Sequence, residues 1–184
     1  VKFGLATGGY RTDNTSVDLR HETVNFGLGL ILNTSSQIRA SLNFFEFQKE
    51  NNWEVFQRDN LFGYFDKKMI SSGLDIDWFP GNNQEFRLKA FVYAIKANNS
   101  RAFEVNPSGY MSSSNINVND FQLSEIAFQI RYKYEFSPLS NLYVVYTRGG
   151  KSSGELQDSF DGLYANAWNK QTLDKLIVKI RYKF

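Results

Sequence analysis

The chain has 184 residues, a formal net charge of +2 and a mean hydropathy of −0.42. The small charge argues against a nucleic-acid partner, and the absence of cysteine excludes disulfides and thiolate metal sites. No stretch approaches the roughly 18 consecutive apolar residues of a membrane helix. Val1 is neither an initiator methionine nor part of a signal peptide, so we expect a mature protein or a fragment.

Apolar and polar side chains alternate in eight segments, which predicts eight β-strands. No segment has a convincing helical period and no linker divides the chain. We therefore expect residues 1–184 to form one all-β domain, without a cofactor or a metal. In chain order, the predicted strands cover about residues 1–7, 23–32, 38–44, 70–78, 86–94, 125–134, 141–147 and 176–184.

The connections between these strands alternate in length. Residues 33–36, 80–83 and 137–140 are short turns rich in Asn, Ser, Gly and Pro. The long polar stretches lie around residues 8–22, 46–64, 97–120 and 149–171. Outer-membrane barrels have short periplasmic turns and long external loops. The sequence thus predicts an antiparallel up-and-down transmembrane β-barrel of eight strands, complete or the carboxyl-terminal portion of a larger barrel, with both ends of the chain periplasmic.

The carboxyl-terminal strand carries the strongest signal of membrane insertion. Its apolar residues alternate with Ile177, Lys179, Arg181 and Lys183, and the chain stops on an aromatic residue. This pattern resembles the last strand of bacterial outer-membrane barrels, where it implies an address read by the barrel-assembly machinery. The resemblance predicts a bacterial outer-membrane location, with contacts to membrane lipid and lipopolysaccharide. The predicted assembly signal consists of Leu176, Val178, Ile180, Tyr182 and Phe184.

Alternation alone does not decide which face of the strands meets water. A soluble barrel would bury its apolar face, whereas a membrane barrel turns that face towards lipid. The terminal pattern, the alternating turn lengths and strands of about ten residues favour the membrane. Two alternatives remain open for the polar face: an ion-pair network that fills a closed barrel, or an aqueous passage that favours anions. The predicted lumen-facing charged residues are Arg39, Lys67, Asp75, Asp77, Arg87, Lys89, Glu125, Arg131, Lys133, Lys179 and Arg181.

Aromatic residues near the short turns predict a girdle at the membrane interface. Its members are Trp78, Phe86, Tyr132, Tyr134, Tyr182 and Phe184.

Few residues point to catalysis. His21 is the single histidine and lies near Ser16, Asp18 and Glu22 at the base of the first long loop. Some eight-stranded outer-membrane acyltransferases place a catalytic histidine there, but a polar strand-end role is the simpler interpretation. Asp75 and Asp77 share a face and are expected to pair with Arg87 and Lys89 on the adjacent strand rather than to bind calcium.

Residues 78–89 and 131–149, with the closing strand, resemble a family of largely uncharacterised bacterial outer-membrane proteins. Its members have a module similar to family-9 carbohydrate-binding modules, followed by a large barrel. The resemblance covers about the last 110 residues and assigns no functional residue. It implies a channel or transport-associated protein linked to glycan handling. The alternatives are a closed barrel that anchors protein or glycan partners through its external loops, and a lipid-modifying enzyme that uses His21.

Overall fold

The computed structural model describes residues 2–14, 19–35, 37–156 and 159–183, which form a β-sheet and one helix. The predicted all-β antiparallel fold is confirmed. The elements are β1 (Lys2–Asn14), β2 (Leu19–Ser35), β3 (Ile38–Arg58), β4 (Leu61–Gly81), β5 (Gln84–Val105), β6 (Met111–Ser113), β7 (Phe121–Ser137), β8 (Ser140–Gly154), α1 (Phe160–Asn169) and β9 (Gln171–Arg181).

The strands pair in the order β1-β2-β3-β4-β5-β7-β8-β9, and the short β6 pairs with β5. Each long strand is therefore antiparallel to its nearest long neighbour in sequence, as an up-and-down topology requires. The predicted closure into a barrel is not present in the described residues, because β1 pairs with β2 alone and β9 with β8 alone. The sheet consequently has two open edges.

The strands are longer than the sequence predicted, and this corrects the expected loops. β3 and β4 continue through the predicted loop 46–64 and are joined by a tight turn at Asp59, whose φ is +48°. β5 likewise extends to Val105, and β6 adds a ninth strand. The extensions mix polar with apolar residues, and most of their residues are paired with a neighbouring strand, such as Val55 opposite Gly63.

The expectation of a chain without a helix was wrong, because α1 occupies part of the predicted loop 149–171. The Ser159 side chain accepts a hydrogen bond from the backbone N–H of Gly162 and caps the first turn. Leu163 and Ala167, four residues apart, are buried against the sheet. No helix in the described residues is long and apolar enough to cross a membrane.

The short turns predicted at residues 80–83 and 137–140 are confirmed, whereas the connection predicted at residues 33–36 lies later because β2 continues to Ser35. All three connections lie together at one end of the sheet. β2 ends at Ser35 and β3 begins at Ile38, while the other two hairpins turn at residues 81–84 and 137–140. We call this the turn end, and the opposite end the distal end. Lys2 and Arg181 both lie at the turn end because an even number of long strands separates them.

The pairing register divides the side chains between two faces. One row across the sheet joins Ser41, Asp75, Lys89, Gln129 and Thr147, and these residues share what we call the charged face. Their neighbours along each strand point to the other side. The apolar face is defined by the parallel row Leu42, Leu74, Ala90 and Phe128.

The buried core is small and lies at the distal end. Phe65 is fully buried and makes edge contacts with Phe121, whose ring centroid is 5.1 Å away. Over the rest of the sheet, large apolar side chains remain exposed, because the described strands form a single layer. The residues of this distal core are Leu61, Phe65, Ala97, Ala102 and Val118, with Trp53, Val55 and Phe121 packed against them.

Candidate functional site on the charged face

All eleven residues that were predicted to face a lumen lie on the charged face. Asp77 is paired with Arg39 on one side and with Arg87 on the other, and Arg87 is paired with Arg131. The row therefore sets three guanidinium groups against one carboxylate. Whether this face lines a lumen stays a prediction. The other seven residues follow the same side-chain alternation along their strands: Lys67, Asp75, Lys89, Glu125, Lys133, Lys179 and Arg181.

Cross-strand ion pairs connect β4 and β5 on this face, which confirms the partners expected for the two aspartates. Lys89 Nζ lies 2.8 Å from Asp75 Oδ2, and Arg87 Nε lies 3.6 Å from Asp77 Oδ1. Arg87 also contacts the carboxylate of Glu85. These side chains are partly exposed, and such pairs are each worth about 0–1 kcal/mol. They set the local charge more than they stabilise the sheet.

A groove of about 530 Å³ runs across the middle of the charged face. Gly73 has no side chain and therefore leaves room in front of Phe91, the residue paired with it on β5. Phe91 is 46% exposed, so an aromatic ring stands in the groove beside polar groups. The groove can bind a polar solute through the hydrogen-bonding groups of its wall and the face of this ring. Its polar lining consists of Ser41, Asn43, Asp75, Lys89, Gln129 and Thr147.

A buried charge cluster lies between the groove and the distal core. Glu50 is 5% exposed and contacts the ammonium group of Lys67, which is 8% exposed. The other oxygen of Glu50 lies 2.7 Å from His21 Nε2, and Lys67 Nζ is 4.8 Å from the centre of the Trp53 ring. Burial of paired charges requires good geometry, and removing one partner leaves the other uncompensated. The cluster therefore ties β2, β3 and β4 together.

Two contacts of His21 place a carboxylate and a hydroxyl beside its ring. Its contacts with Glu50 and with the Thr23 hydroxyl, 3.4 Å away, both involve Nε2. Catalysis by His21 stays a prediction. The predicted neighbours Ser16 and Asp18 lie outside the described residues. Among the described residues, no group of three His, Asp or Glu side chains could hold a metal ion.

The predicted aromatic girdle lies at the turn end of the apolar face. Trp78, Phe86 and Tyr132 form one row across three strands, and the first two rings meet edge to face at 6.3 Å. Tyr134 contacts Phe136 with ring centroids 6.5 Å apart, and Phe136 stacks on Tyr182 at 6.3 Å. Phe184 lies outside the described residues.

The predicted assembly signal forms an exposed apolar stripe on the edge strand β9. Leu176, Val178 and Ile180 are 64%, 59% and 68% exposed. Tyr182 follows the end of the strand and is exposed as well. The stripe is accessible for recognition, but its reading by an assembly machinery stays a prediction.

Helix α1 covers the distal part of the apolar face. The Ser124 hydroxyl donates a 2.7 Å hydrogen bond to the carbonyl oxygen of Leu163, and the Tyr164 hydroxyl donates a 3.0 Å bond to that of Ile70. Arg148 lies 4.2 Å from the centre of the Trp168 ring. Burial, with a smaller effect from a nearby carboxylate, raises the pKa of Tyr164 above its usual value. The helix thus shields polar groups that the apolar face carries at this end.

Comparison with known families decides the classification of the chain. Residues 4–184 match the family described as "Domain of unknown function (DUF5916)". The chain belongs to this family. Comparison with curated protein sequences gave no match. The outer-membrane location and the carbohydrate-binding module implied by the resemblance in the sequence stay predictions.

Sequence reasoning missed Glu50 and α1 because both lie in stretches that were taken as loops. The face of Glu50 could not be read from the alternation of Ile38 to Phe44, because the β3 bulge after Asn43 moves Gln48 and Glu50 to the charged face. For α1, a capping serine precedes an i, i+4 apolar pair. That signal is short and easily lost in a polar segment.

Proposed function

We propose that this chain forms part of the wall of a β-barrel channel in a bacterial outer membrane. Its apolar face would meet lipid, and its charged face would line a passage for anionic or polar solutes. One observation carries the proposal: a single layer of long antiparallel strands exposes large apolar side chains on one face and a field of mostly basic charges on the other.

The exposed apolar side chains favour a lipid environment for that face. A soluble two-layer fold would cover these apolar side chains with a second layer. In the described residues, α1 covers the distal part of the apolar face and leaves the rest of that face open. Burying a Leu, Val or Ile side chain is worth about 1.5–3 kcal/mol. Contact of Leu176, Val178 and Ile180 with acyl chains would therefore stabilise the fold.

Strand length also supports the proposal. A strand needs about 9–11 residues to cross a bilayer obliquely, and β4 has 21 residues. The excess would carry the distal core beyond the membrane, on the outer side if the turn end is periplasmic. Both ends of the described chain would then be periplasmic, and the β9 stripe would be presented to the barrel-assembly machinery.

The charge distribution favours anions as the solute. Arg39 and Arg87 flank Asp77 near the turn end, and Arg131 follows Arg87 in the same row; rings of Arg and Lys select anions in pores. The groove beside Phe91 would suit a polar or anionic glycan, because its aromatic ring and its hydrogen-bonding side chains act on the same solute. This is consistent with the glycan link that the resemblance implies.

A second candidate is a closed or blocked barrel that serves as a surface anchor. The observation that favours it is the distal core, since Val118 and Phe121 pack over the charged face of β4 and β5. Such packing narrows any passage at this end. A measurement of conductance in planar bilayers distinguishes the channel from the closed surface anchor.

The test is the ion selectivity of the full-length protein in planar bilayers under a salt gradient. Arg131→Glu combined with Lys179→Glu should move the reversal potential towards cation preference, because both side chains lie on the charged face. Arg58→Glu with Lys170→Glu is the matched control, since it makes the same charge change at exposed distal positions. A protein that gives no conductance would support the surface-anchor candidate. Conductance with unchanged ion selectivity in the Arg131→Glu/Lys179→Glu variant would exclude the charged face as the lining of the passage.

A further inference from the structure

An apolar pair of side chains interrupts the charged face on β8 and β9. Val145 and Ile177 are paired directly across these strands, and the alternation along each strand places both on the charged face. Ile177 is 44% exposed, although Lys175 and Lys179 are its nearest neighbours on the same face of β9. Neither Val145 nor Ile177 belongs to the distal core, so the pair forms an open apolar floor among charged groups.

Three cationic side chains border this floor. Arg131 of β7 is paired directly with Val145, and Lys175 and Lys179 lie two residues before and after Ile177. Directly paired residues have Cβ atoms about 4.5–5.5 Å apart, and two residues along a strand span about 6.6 Å. The long side chains of the three cations therefore reach a molecule that lies on the floor. We call these five residues the β8–β9 site.

The cations of this site are not neutralised by the described part of the chain. Within the described residues, Arg131, Lys175 and Lys179 have no ion pair and no side-chain hydrogen bond. Arg87 of β5 is paired directly with Arg131 and is already held by carboxylates of β4 and β5. Like charges that are paired directly destabilise a sheet. An anion at the β8–β9 site would therefore offset the charge of Arg131.

The charged groups next to the site have other contacts. Lys133 Nζ lies 6.0 Å from the centre of the Tyr143 ring, and Glu135 accepts a 3.2 Å hydrogen bond from the backbone N–H of Leu139. Lys89 of β5 is paired with a carboxylate of β4, 2.8 Å away. The site thus keeps a positive charge that is complementary to an anion.

The floor is short, which limits the apolar part of the ligand. The next pairs on the same face of β8 and β9 are Tyr143 with Lys179 and Thr147 with Lys175. A long acyl chain would run off the floor onto these polar side chains. A single planar ring covers the two branched side chains and leaves its substituent at the cationic border.

We propose that the β8–β9 site binds a small aromatic carboxylate. The ring of this ligand lies on Val145 and Ile177, and its carboxylate is held by Arg131, whose planar fork of donors matches a carboxylate. The two lysines act as point charges on either side. This inference rests on the proposed function, because it requires the charged face to be open to an aqueous solute, and it names the class of anion.

The test is a fluorine NMR titration of para-fluorobenzoate with the full-length protein in a zwitterionic detergent. Val145→Thr/Ile177→Thr keeps the branched shapes and every charge but makes the floor polar. It should weaken binding by about tenfold, as expected for the loss of one apolar side-chain contact. The matched control is Ile130→Thr/Val144→Thr, which makes the same two changes on the apolar face and should leave the affinity unchanged. Equal weakening in both variants would overturn the assignment of the floor.

A second pair of variants tests the cations. Arg131→Gln/Lys179→Gln should weaken binding by at least about tenfold, because charged hydrogen bonds to the carboxylate are lost. Arg58→Gln/Lys170→Gln removes the same charge at exposed distal positions and should leave binding unchanged. An unchanged affinity in the Arg131→Gln/Lys179→Gln variant would contradict the proposed site.

Competition by unlabelled compounds tests the chemistry of the ligand. Benzoate should displace para-fluorobenzoate, and hexanoate should do so less well. If hexanoate competes as strongly as benzoate, the floor accepts an acyl chain and the aromatic assignment is wrong. Benzamide, which has the ring but no charge, should not displace para-fluorobenzoate; displacement by benzamide would contradict the role of the cations.

The outcomes also separate this inference from the proposed function, because binding is measured without a bilayer. A protein that gives no conductance, but binds para-fluorobenzoate with the losses described above, contradicts the channel and supports the site. A channel whose selectivity responds to Arg131→Glu/Lys179→Glu, but which does not bind para-fluorobenzoate, contradicts this inference alone.

Discussion

Replacement of Lys67 by methionine tests whether the buried charge cluster stabilises the distal half of the sheet. The substitution keeps a side chain of similar length but removes the ammonium group that contacts Glu50. Removing one partner of a buried pair costs about 3–5 kcal/mol. His21 remains 2.7 Å from Glu50 and offsets part of the loss, so we expect the lower end of that range.

Urea unfolding of the full-length protein in detergent micelles measures this loss, with tryptophan fluorescence as the signal because Trp53 adjoins Lys67. With a denaturant slope of about 2 kcal/mol per molar, a loss of about 3 kcal/mol lowers the unfolding midpoint by about 1.5 M. The double variant Glu50→Gln/Lys67→Met should recover part of the loss, because no uncompensated carboxylate remains.

The matched control is Lys89→Met on the same face, whose partner is Asp75. These two side chains are 57% and 43% exposed, so we expect a loss of at most about 1 kcal/mol. If Lys67→Met lowers the midpoint no more than Lys89→Met does, burial does not strengthen the first pair and the reasoning is wrong.

Two other predictions concern α1 and His21. A Cβ at Gly150 would lie 1.9 Å from the carbonyl oxygen of Ala167, whereas one at Gly154 would meet nothing within 4 Å. Gly150→Ala should therefore displace α1 and open it to limited proteolysis, and Gly154→Ala should leave the digestion pattern unchanged. We expect His21 to hold β2 to Glu50 of β3 rather than to act on lipids, so His21→Ala should leave the acylation pattern of outer-membrane lipids unchanged in cells; an altered pattern in mass spectra would support the enzyme hypothesis.

Side-chain alternation was sufficient to predict the faces of the sheet. Arg87 and Lys89 were assigned to one face and to partners on the previous strand, and the register places them there. The short turns also predicted which strands are neighbours. Both inferences depend on local properties, namely the period of two along a strand and the geometry of tight turns.

Polarity was a poor guide to where the strands end. Residues 46–64 read as a loop because they are polar, yet they are paired strand on both sides of Asp59. The segment does contain Trp53, Val55 and Leu61, which pack in the distal core, but the bulges of β3 interrupt the alternation by which a strand is recognised. Helix α1 was missed for a related reason. Its buried residues are Leu163 and Ala167, and two buried positions are too few to give a clear helical period in the sequence.

The sequence by itself determined that the chain forms antiparallel strands with one apolar and one charged face, because each side chain's direction follows from its position along its own strand. The tertiary structure alone decided that the sheet has open edges, that Glu50 meets Lys67 and His21, and that the apolar pair of β8 and β9 lies beside Arg131. These features depend on the register between strands. The bulges of β3 after Asn43 and after Glu50 shift that register by single residues, and each such shift moves the following side chains to the other face.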